Sequence, residues 1–287
     1  MTTILDGKAL AAKTDENTKI EIQDLADRGI IPGLVVILVG HDEASQLYVR
    51  NKDKRARKMG IHSVVRNLPE TITEEELIQI IHSYNADPTI NAILVQLPLP
   101  AHINEFHVTT AIAPQKDADG FHPVNLGKLI VNRTEQTPIA CTPAGIMKFF
   151  KAYHISLDGK KAVVVGRSTI VGKPMAALLV NANATVTIAH SHTKKLSELT
   201  QEADILVVAV GVAHFIKAVD VKNGAVVIDV GMDRDAQHKL VGDVDFDEVK
   251  NKAAYITPVP RGVGPMTISM LMAQTVSLTK WSSEQNG

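Results

Sequence analysis

The chain reads as an α/β protein built on parallel sheets, and three features predict this. Short β-branched apolar runs alternate with helical patterns along the chain, as buried parallel strands and their crossover helices do. Residues 161–191, KAVVVGRSTIVGKPMAALLVNANATVTIAHS, pass through strand, glycine-bearing turn, helix and strand in about thirty residues, the size of a nucleotide-binding crossover. The length, 287 residues, suits about two domains.

Taken in order, residues 8–28 have helical periodicity, with Leu10, Ile20, Ile22 and Leu25 among charges and Gly29 as a stop. A buried-strand run follows at 34–39, then a helix at 45–59 closed by Gly60, and a strand at 61–65. Thr73-Glu74-Glu75-Glu76 is a capping-box pattern opening a helix to about Tyr84. A strand at 92–97 breaks at Pro98 and Pro100, and a short helix covers 104–112. Residues 113–143 are irregular, polar and proline-bearing, and read as the connection between domains. Thr142-Pro143 starts a helix to about Tyr153. Beyond the crossover, strand runs at 204–210, 225–230 and 254–256 make the second domain a nucleotide-binding sheet. Pro265 starts a last helix that returns to the first domain.

The crossover departs from the G-x-G-x-x-G fingerprint. Ser168 stands where the second glycine belongs, and Gly172 comes one residue late. Pro174 sits near the first helical turn, where a missing N–H costs little, and free N–H groups at that helix start would face a phosphate. A fold reading NAD places an acid about twenty residues on, for the ribose 2′-hydroxyl. Here the second strand ends in His190-Ser191-His192-Thr193-Lys194-Lys195, with no acid, and Arg167 lies in the turn. Donors and cations suit a 2′-phosphate, so the residues favour NADP over NAD.

Composition narrows the class. Hydrophobic residues make up 45% and aromatics 4%, so the cores are aliphatic. A formal net charge of −1 argues against a nucleic-acid or membrane-surface protein. The lone Cys141 allows no internal disulfide and suits a reducing compartment. No signal peptide and no run of about 18 apolar residues is evident, so a soluble cytoplasmic protein is expected.

Three patterns carry chemistry. Tyr48 and Lys52 lie at i and i+4 on one helical face, where a ring can stack on a flat ligand beside a partly desolvated amine. Spacing alone favours a solvated face, because Arg50, Lys52, Lys54, Arg55, Arg57 and Lys58 form a basic run. Gln96 ends a buried strand at the edge where α/β sheets collect ligands, to orient a substrate group or to satisfy local backbone. Lys116-Asp117-Ala118-Asp119-Gly120 offers a turn or a carboxylate for a ligand N–H pair. The eleven histidines show no paired metal spacing, and no metal is expected.

These fragments form an ordered set: ASQLYVRNKDK at 44–54, VQLPLP at 95–100, KDADGFHPVN at 116–125, CTPAGI at 141–146, VVGRSTIVGKP at 164–174 and TPVPRGVGPMT at 257–267. Together they closely resemble the bifunctional methylenetetrahydrofolate dehydrogenase/methenyltetrahydrofolate cyclohydrolase family over essentially the whole chain. The resemblance implies an N-terminal α/β catalytic domain (1–118, with a C-terminal helix at 266–287) and a C-terminal Rossmann-like NADP-binding domain (119–265), with a cleft between them. It further implies Lys52 as general base and acid, Tyr48 stacked along the folate, Gln96 tuning the lysine and Asp119 gripping the pterin. Leu97, Pro260 and Gly262 would join Tyr48, Lys52, Gln96 and Asp119 around tetrahydrofolate substrates. Gly166, Arg167, Ser168, Ser191, Gly231 and Met232 would hold NADP, and homodimers are implied. Lys54 and Arg55 are placed to depress the pKa of Lys52 or to attract the folate glutamate tail. One position departs from the family pattern PVPGGVGPMT: Arg261 replaces the first glycine. If that glycine needs positive φ, arginine is strained. The rival readings are a monofunctional dehydrogenase, an NADP-dependent dehydrogenase of another small molecule, and a catalytically silent nucleotide- or folate-binding protein.

Overall fold

Apolar runs punctuated by glycine, proline and capping residues build two α/β units in the computed structural model, which describes residues 1–285. One unit comprises Met1–Ala12 and Ala140–Thr267; the other comprises Lys13–Ile139 and the chain from Ile268 onward. The chain opens with β1 (Thr3–Ile4) and α1 (Gly7–Ala26), which passes from the first group of residues into the second.

The unit containing Lys13–Ile139 continues with β2 (Gly33–Val39), α2 (Glu43–Met59), β3 (His62–Leu68), α3 (Glu74–Ala86), β4 (Ala92–Val95), α4 (Glu105–Ala111) and α5 (Pro123–Ile130). Its sheet has the order β3-β2-β4 and is parallel throughout. Every residue of the central strand β2 is buried, which is why GLVVILV is apolar without alternation. The capping box expected at Thr73 is present: Thr73 Oγ1 accepts from Glu76 N, and Glu76 returns a carboxylate to Thr73 N. Helix α2 is capped by Asp42 and stopped by Gly60 at φ 92°. Leu77, Ile81, Val108 and Ile112 close over Val35, Ile37, Ile93 and Val95 as one core.

The segment expected to be irregular, 113–143, contains a helix, α5. His122 caps it by accepting at Nδ1 from Val124 N at 3.1 Å, Pro123 occupies the first turn, and Asn125 and Leu129 are buried one turn apart. Pro123 and Gly127 concealed it, because both read as breakers when their packing is unknown.

The other unit runs through α6 (Cys141–Ala152), β5 (Lys161–Val165), α7 (Gly172–Asn181), β6 (Thr185–Ala189), α8 (Leu196–Thr200), β7 (Ile205–Val208), β8 (Val226–Asp229), the ribbon β9 (Asp233–Arg234) and β10 (Leu240–Val241), α9 (Phe246–Val249) and β11 (Tyr255–Ile256) to α10 (Val263–Gln285). Its six-stranded parallel sheet has the order β1-β11-β8-β7-β5-β6. Strand order therefore reverses at β5, the topological switch point of a doubly wound sheet, where such folds take up ligands beyond the strand carboxyl ends. β1 joins this sheet through the register Thr3↔Tyr255 and Ile4↔Ile256.

Helix α10 continues past Thr267 into the Lys13–Ile139 unit. There Gln274 donates to Ala118 O at 2.7 Å and accepts from Ile139 N at 2.9 Å, while Lys280 pairs with Glu21 at 2.8 Å. Residues 286 and 287, the end of the helix expected at 266–287, lie outside the described residues. No described helix is long and apolar enough to cross a membrane.

Candidate active site

In the Lys13–Ile139 unit, α2 turns one cation of its basic run inward. Lys52 is 6% exposed, whereas Arg50, Lys54, Arg57 and Lys58 face solvent. Its Nζ donates to Gln96 Oε1 at 2.9 Å and lies 5.5 Å from the centre of the Tyr48 ring, within cation–π range. Gln96 is fixed from both ends: its backbone N–H donates to Ile37 O at 2.8 Å, and its Nε2 donates to Leu97 O at 2.7 Å. The side-chain carbonyl is thereby left to face the lysine. Burial holds the Tyr48 hydroxyl above its usual pKa.

Asp119 completes the group. Removal from water pushes its carboxyl up to about 6, against the opposing pull of Lys52. The backbone that presents it is organised by Asp117, 2% exposed, which lies one bridge from Ile93. The Asp117 carboxylate accepts from Gly120 N at 2.9 Å, His122 N at 2.8 Å and Asn125 Nδ2 at 2.9 Å. Burial raises the Asp117 pKa all the same. Sequence reasoning left Asp117 out of the site; the signal was its place two residues before Asp119 in the KDADG segment. Arg55 is not available to a substrate tail, because its guanidinium is paired with the buried Asp15 of α1, whose other oxygen accepts from Ser269 Oγ at 2.7 Å.

In the other unit, the turn from β5 to α7 is built on two glycines that admit no side chain. A Cβ on Gly166, whose φ is 129°, would lie 2.3 Å from Ala209 O, and one on Gly172 would lie 2.2 Å from Gly166 O. Ser168 replaces the usual second glycine and uses its hydroxyl, Oγ accepting from Val171 N at 3.2 Å and Gly172 N at 3.3 Å. The N–H groups at the helix start are therefore engaged: Lys173 N also donates to Ser168 O at 2.9 Å. Among the described residues, the backbone N–H groups of Arg167, Ser168, Thr169 and Ile170 make no hydrogen bond. The free donors expected at the helix lie instead in the turn before it.

Ser191 is exposed in the loop after β6, where His190 N donates to Thr193 Oγ1 at 2.8 Å and the His190 and His192 rings stand 6.0 Å apart. Gly231 N donates to Asp229 Oδ1 at 2.9 Å, and the neighbouring Met232 is half exposed. In the turn before α10 the Val259–Pro260 bond is cis, Pro260 and Arg261 are exposed, and Gly262 is buried where a Cβ would lie 2.4 Å from Pro258 O. Arg261 has φ 84°, the left-handed conformation that a glycine takes without strain.

Two domain descriptions match the chain: tetrahydrofolate dehydrogenase/cyclohydrolase, catalytic domain, over residues 5–119, and tetrahydrofolate dehydrogenase/cyclohydrolase, NAD(P)-binding domain, over residues 140–283. A protein of Pediococcus pentosaceus described as "Bifunctional protein FolD" is 64% identical over 279 residues, 97% of this chain and 99% of that protein. The crystal structure of the bifunctional enzyme FolD, methylenetetrahydrofolate dehydrogenase/cyclohydrolase, from Campylobacter jejuni superposes with a TM-score of 0.96. It is 49% identical, covering 98% of this chain and 100% of that one. The Trypanosoma brucei methylenetetrahydrofolate dehydrogenase-cyclohydrolase, solved with NADP cofactor and inhibitor, has a TM-score of 0.94 at 38% identity and 98% coverage of both chains.

Proposed function

The chain belongs to the tetrahydrofolate dehydrogenase/cyclohydrolase family, and from the residues gathered around Lys52 and around the β5–α7 turn we infer how it performs the family's two reactions. It is an NADP-dependent enzyme that oxidises 5,10-methylenetetrahydrofolate to the 5,10-methenyl form and hydrolyses that to 10-formyltetrahydrofolate. The assignment of individual residues to these steps is the inference.

The single observation that carries it is the buried Lys52. An amine taken out of water, bonded to an amide oxygen and set against a tyrosine ring has a purpose that a solvated lysine lacks. In the first step a hydride leaves the one-carbon bridge, the carbon becomes a cationic methenyl group, and NADP supplies the acceptor. That step needs chiefly orientation of flat rings, which Tyr48 and Leu97 provide. In the second, water attacks the methenyl carbon. Neutral Lys52 takes one proton of that water and returns it to the departing ring nitrogen, the second leaving to solvent as the hydroxyl becomes the formyl carbonyl, while Gln96 holds the amine in line. Asp119 accepts from the ring N–H and amino group of the pterin, fixing the bridge over the lysine.

The residues of the other unit fit a diphosphate dinucleotide. Two glycines leave no Cβ in the turn, four unengaged N–H groups of Arg167–Ile170 match phosphate oxygens, and no acid stands at the end of β6. We assign Gly166, Arg167, Ser168 and Ser191 to the phosphates and the adenosine ribose, with Arg167 on the 2′-phosphate, and the Gly231-Met232 turn to the reacting end; Pro260 and Gly262 we assign to the folate. Residues 1–118 and the last helix form the folate-binding part in this reading and 119–265 the NADP-binding part. We further propose a cytoplasmic homodimer supplying one-carbon units for purine synthesis, a reading that family membership supports; sedimentation at working concentration tests the dimer.

Purified protein mixed with 5,10-methylenetetrahydrofolate and NADP should form NADPH without lasting methenyltetrahydrofolate. Lys52→Met should lose cyclohydrolase far more than it loses NADP binding. Cyclohydrolase retained in Lys52→Met would place the base elsewhere.

A further inference from the structure

Two loops leave the carboxyl edge of the three-stranded sheet from its outer strands, residues 69–73 after β3 and residues 96–104 after β4, with β2 between them. The second loop begins with Gln96 and Leu97 and ends at Asn104, the N-cap of α4. Its near end is held where Gln96 N donates to Ile37 O and Gln96 Nε2 to Leu97 O. Its far end is held by the first loop and by the start of α3. His102 Nε2 donates to Ile72 O at 3.0 Å. Asn104 N donates to Glu74 Oε2 at 2.7 Å, and His107 Nδ1 donates to Glu74 Oε1 at 2.7 Å. Between the two ends Ile103 is buried, its N–H closing a turn on Pro100 O at 2.9 Å, and Leu99 packs on the same core.

Glu74 is the pivot of this arrangement. It is the first residue of α3, where an acid favours the helix dipole, and that alone would account for a carboxylate there. The first turn already holds Glu75 and Glu76, however, and Thr73 with Glu76 supplies the cap. Among the described residues, neither oxygen of Glu74 bonds to its own helix; both serve the chain around α4. Asn104 offers its backbone N–H to Glu74 while its side chain accepts from Phe106 N at 2.9 Å. The carboxylate thus secures the cap of a helix to which it does not belong. The Asn104 N–H, and then His107, hold the Glu74 carboxyl below its usual range, so it accepts both bonds as the anion.

We propose that Glu74 is a positioning residue for the folate site: by gripping Asn104 N and His107 it anchors the β4–α4 loop and so sets where Gln96 and Leu97 stand beside Lys52. Its role rests on the reading that Lys52, Gln96 and Leu97 serve the folate. Hydrogen bonds to a carboxylate are stronger than neutral ones, and two of them from different residues fix the group in one orientation. Without them the far end of the loop keeps only His102 and its apolar contacts. A small misplacement of groups that orient a reacting amine or a flat ring costs rate steeply. Glu74 itself touches no substrate in this scheme.

The test is steady-state kinetics of both reactions with the full chain. Glu74→Ala should raise KM for 5,10-methylenetetrahydrofolate and lower cyclohydrolase kcat by about three- to tenfold each, with KM for NADP unchanged within about twofold. Glu74→Gln should stay within about twofold of wild type, since its amide oxygen accepts from Asn104 N while its NH2 donates to the other tautomer of His107. Thr73→Ala removes the α3 cap and leaves the Glu74 bonds, so it should lower Tm with folate kinetics unchanged. Unmoved folate kinetics in Glu74→Ala, a Gln variant as impaired as Ala, or a Thr73→Ala shift equal to that of Glu74→Ala overturns the proposal. His107→Ala leaves α3 intact and should move the folate parameters in the same direction but less; where Glu74→Ala folds poorly, unmoved kinetics in His107→Ala overturn the proposal instead. Gln96→Ala reports on the underlying reading. If it leaves cyclohydrolase intact, the role of Gln96 fails and that of Glu74 with it; loss in Gln96→Ala beside wild-type kinetics in Glu74→Ala means that only the positioning role of Glu74 fails.

Discussion

Replacing Arg261 with glycine should stabilise the protein. The residue sits at φ 84° in the turn between the cis Val259–Pro260 bond and α10, and its carbonyl accepts from Lys8 N at 3.1 Å, so neighbouring structure holds the turn. A left-handed conformation costs an L-residue roughly 1–2 kcal/mol. Glycine removes that cost but widens the unfolded ensemble, which returns roughly 0.5–1 kcal/mol. The side chain is exposed and makes no ion pair among the described residues, so its loss subtracts little. The net expectation is a gain of about 0.5–1 kcal/mol, or a rise in Tm of about 1–4 °C for a protein of this size. Arg261→Ala is the control: it removes the guanidinium and keeps the positive φ, so it should show no gain. Thermal scans and urea titrations of the three proteins decide the matter. A glycine variant no more stable than the alanine variant would refute the strain argument and leave the departure from the family pattern without an energetic account.

Gly172→Ala should destabilise by about 1–3 kcal/mol and weaken NADPH binding, because the new methyl meets Gly166 O at 2.2 Å and Arg167 Cα at 2.9 Å; unchanged affinity would mean the turn opens freely. Arg167→Ala should raise the Kd for NADP by about tenfold and leave NAD nearly unchanged, and equal losses would show that Arg167 does not read the 2′-phosphate. Asp119 makes stability pH-dependent. Its folded pKa, about 6, lies above the ordinary 3.8, so between these values the native state binds more protons than the unfolded state. Stability contributed by the protonated form is therefore fully present at low pH and is lost as pH rises through about 6. Urea midpoints across that window should fall with pH in wild type and be flatter in Asp119→Asn, and parallel profiles would assign the titration to another group.

Much of the fold was legible because its signals are local. The unbroken GLVVILV run, the Thr73–Glu76 capping box and the glycine stop at Gly60 each depend on neighbours within a few residues, and each forms the expected element. The glycine-bearing turn at Gly166 was legible for the same reason, although its free donors lie at Arg167–Ile170 rather than at the helix start. The helix at Pro123–Ile130 was not legible, because proline and glycine read as breakers until a cap and a buried face are seen. β1 was equally hidden: two residues form a strand only because Tyr255 and Ile256, some 250 positions on, offer a parallel edge.

The same division holds at the site. The i, i+4 spacing of Tyr48 and Lys52 put ring and amine on one face, and the ordered motifs identified the family. Spacing alone nevertheless weighed against Lys52, since a basic run looks solvated. Which member of such a run is buried depends on what packs over the helix, and β4 supplies that by delivering Gln96 to within 2.9 Å of the amine. Asp15, 40 positions before Arg55, removes that cation from the reckoning, and the Asp117 carboxylate fixes the loop that presents Asp119. Residue identity and short-range periodicity determined the elements and the chemistry available. Burial and partner choice, which set whether a charge is free, paired or titrating, came from contacts distant in sequence and were decided only by the tertiary structure.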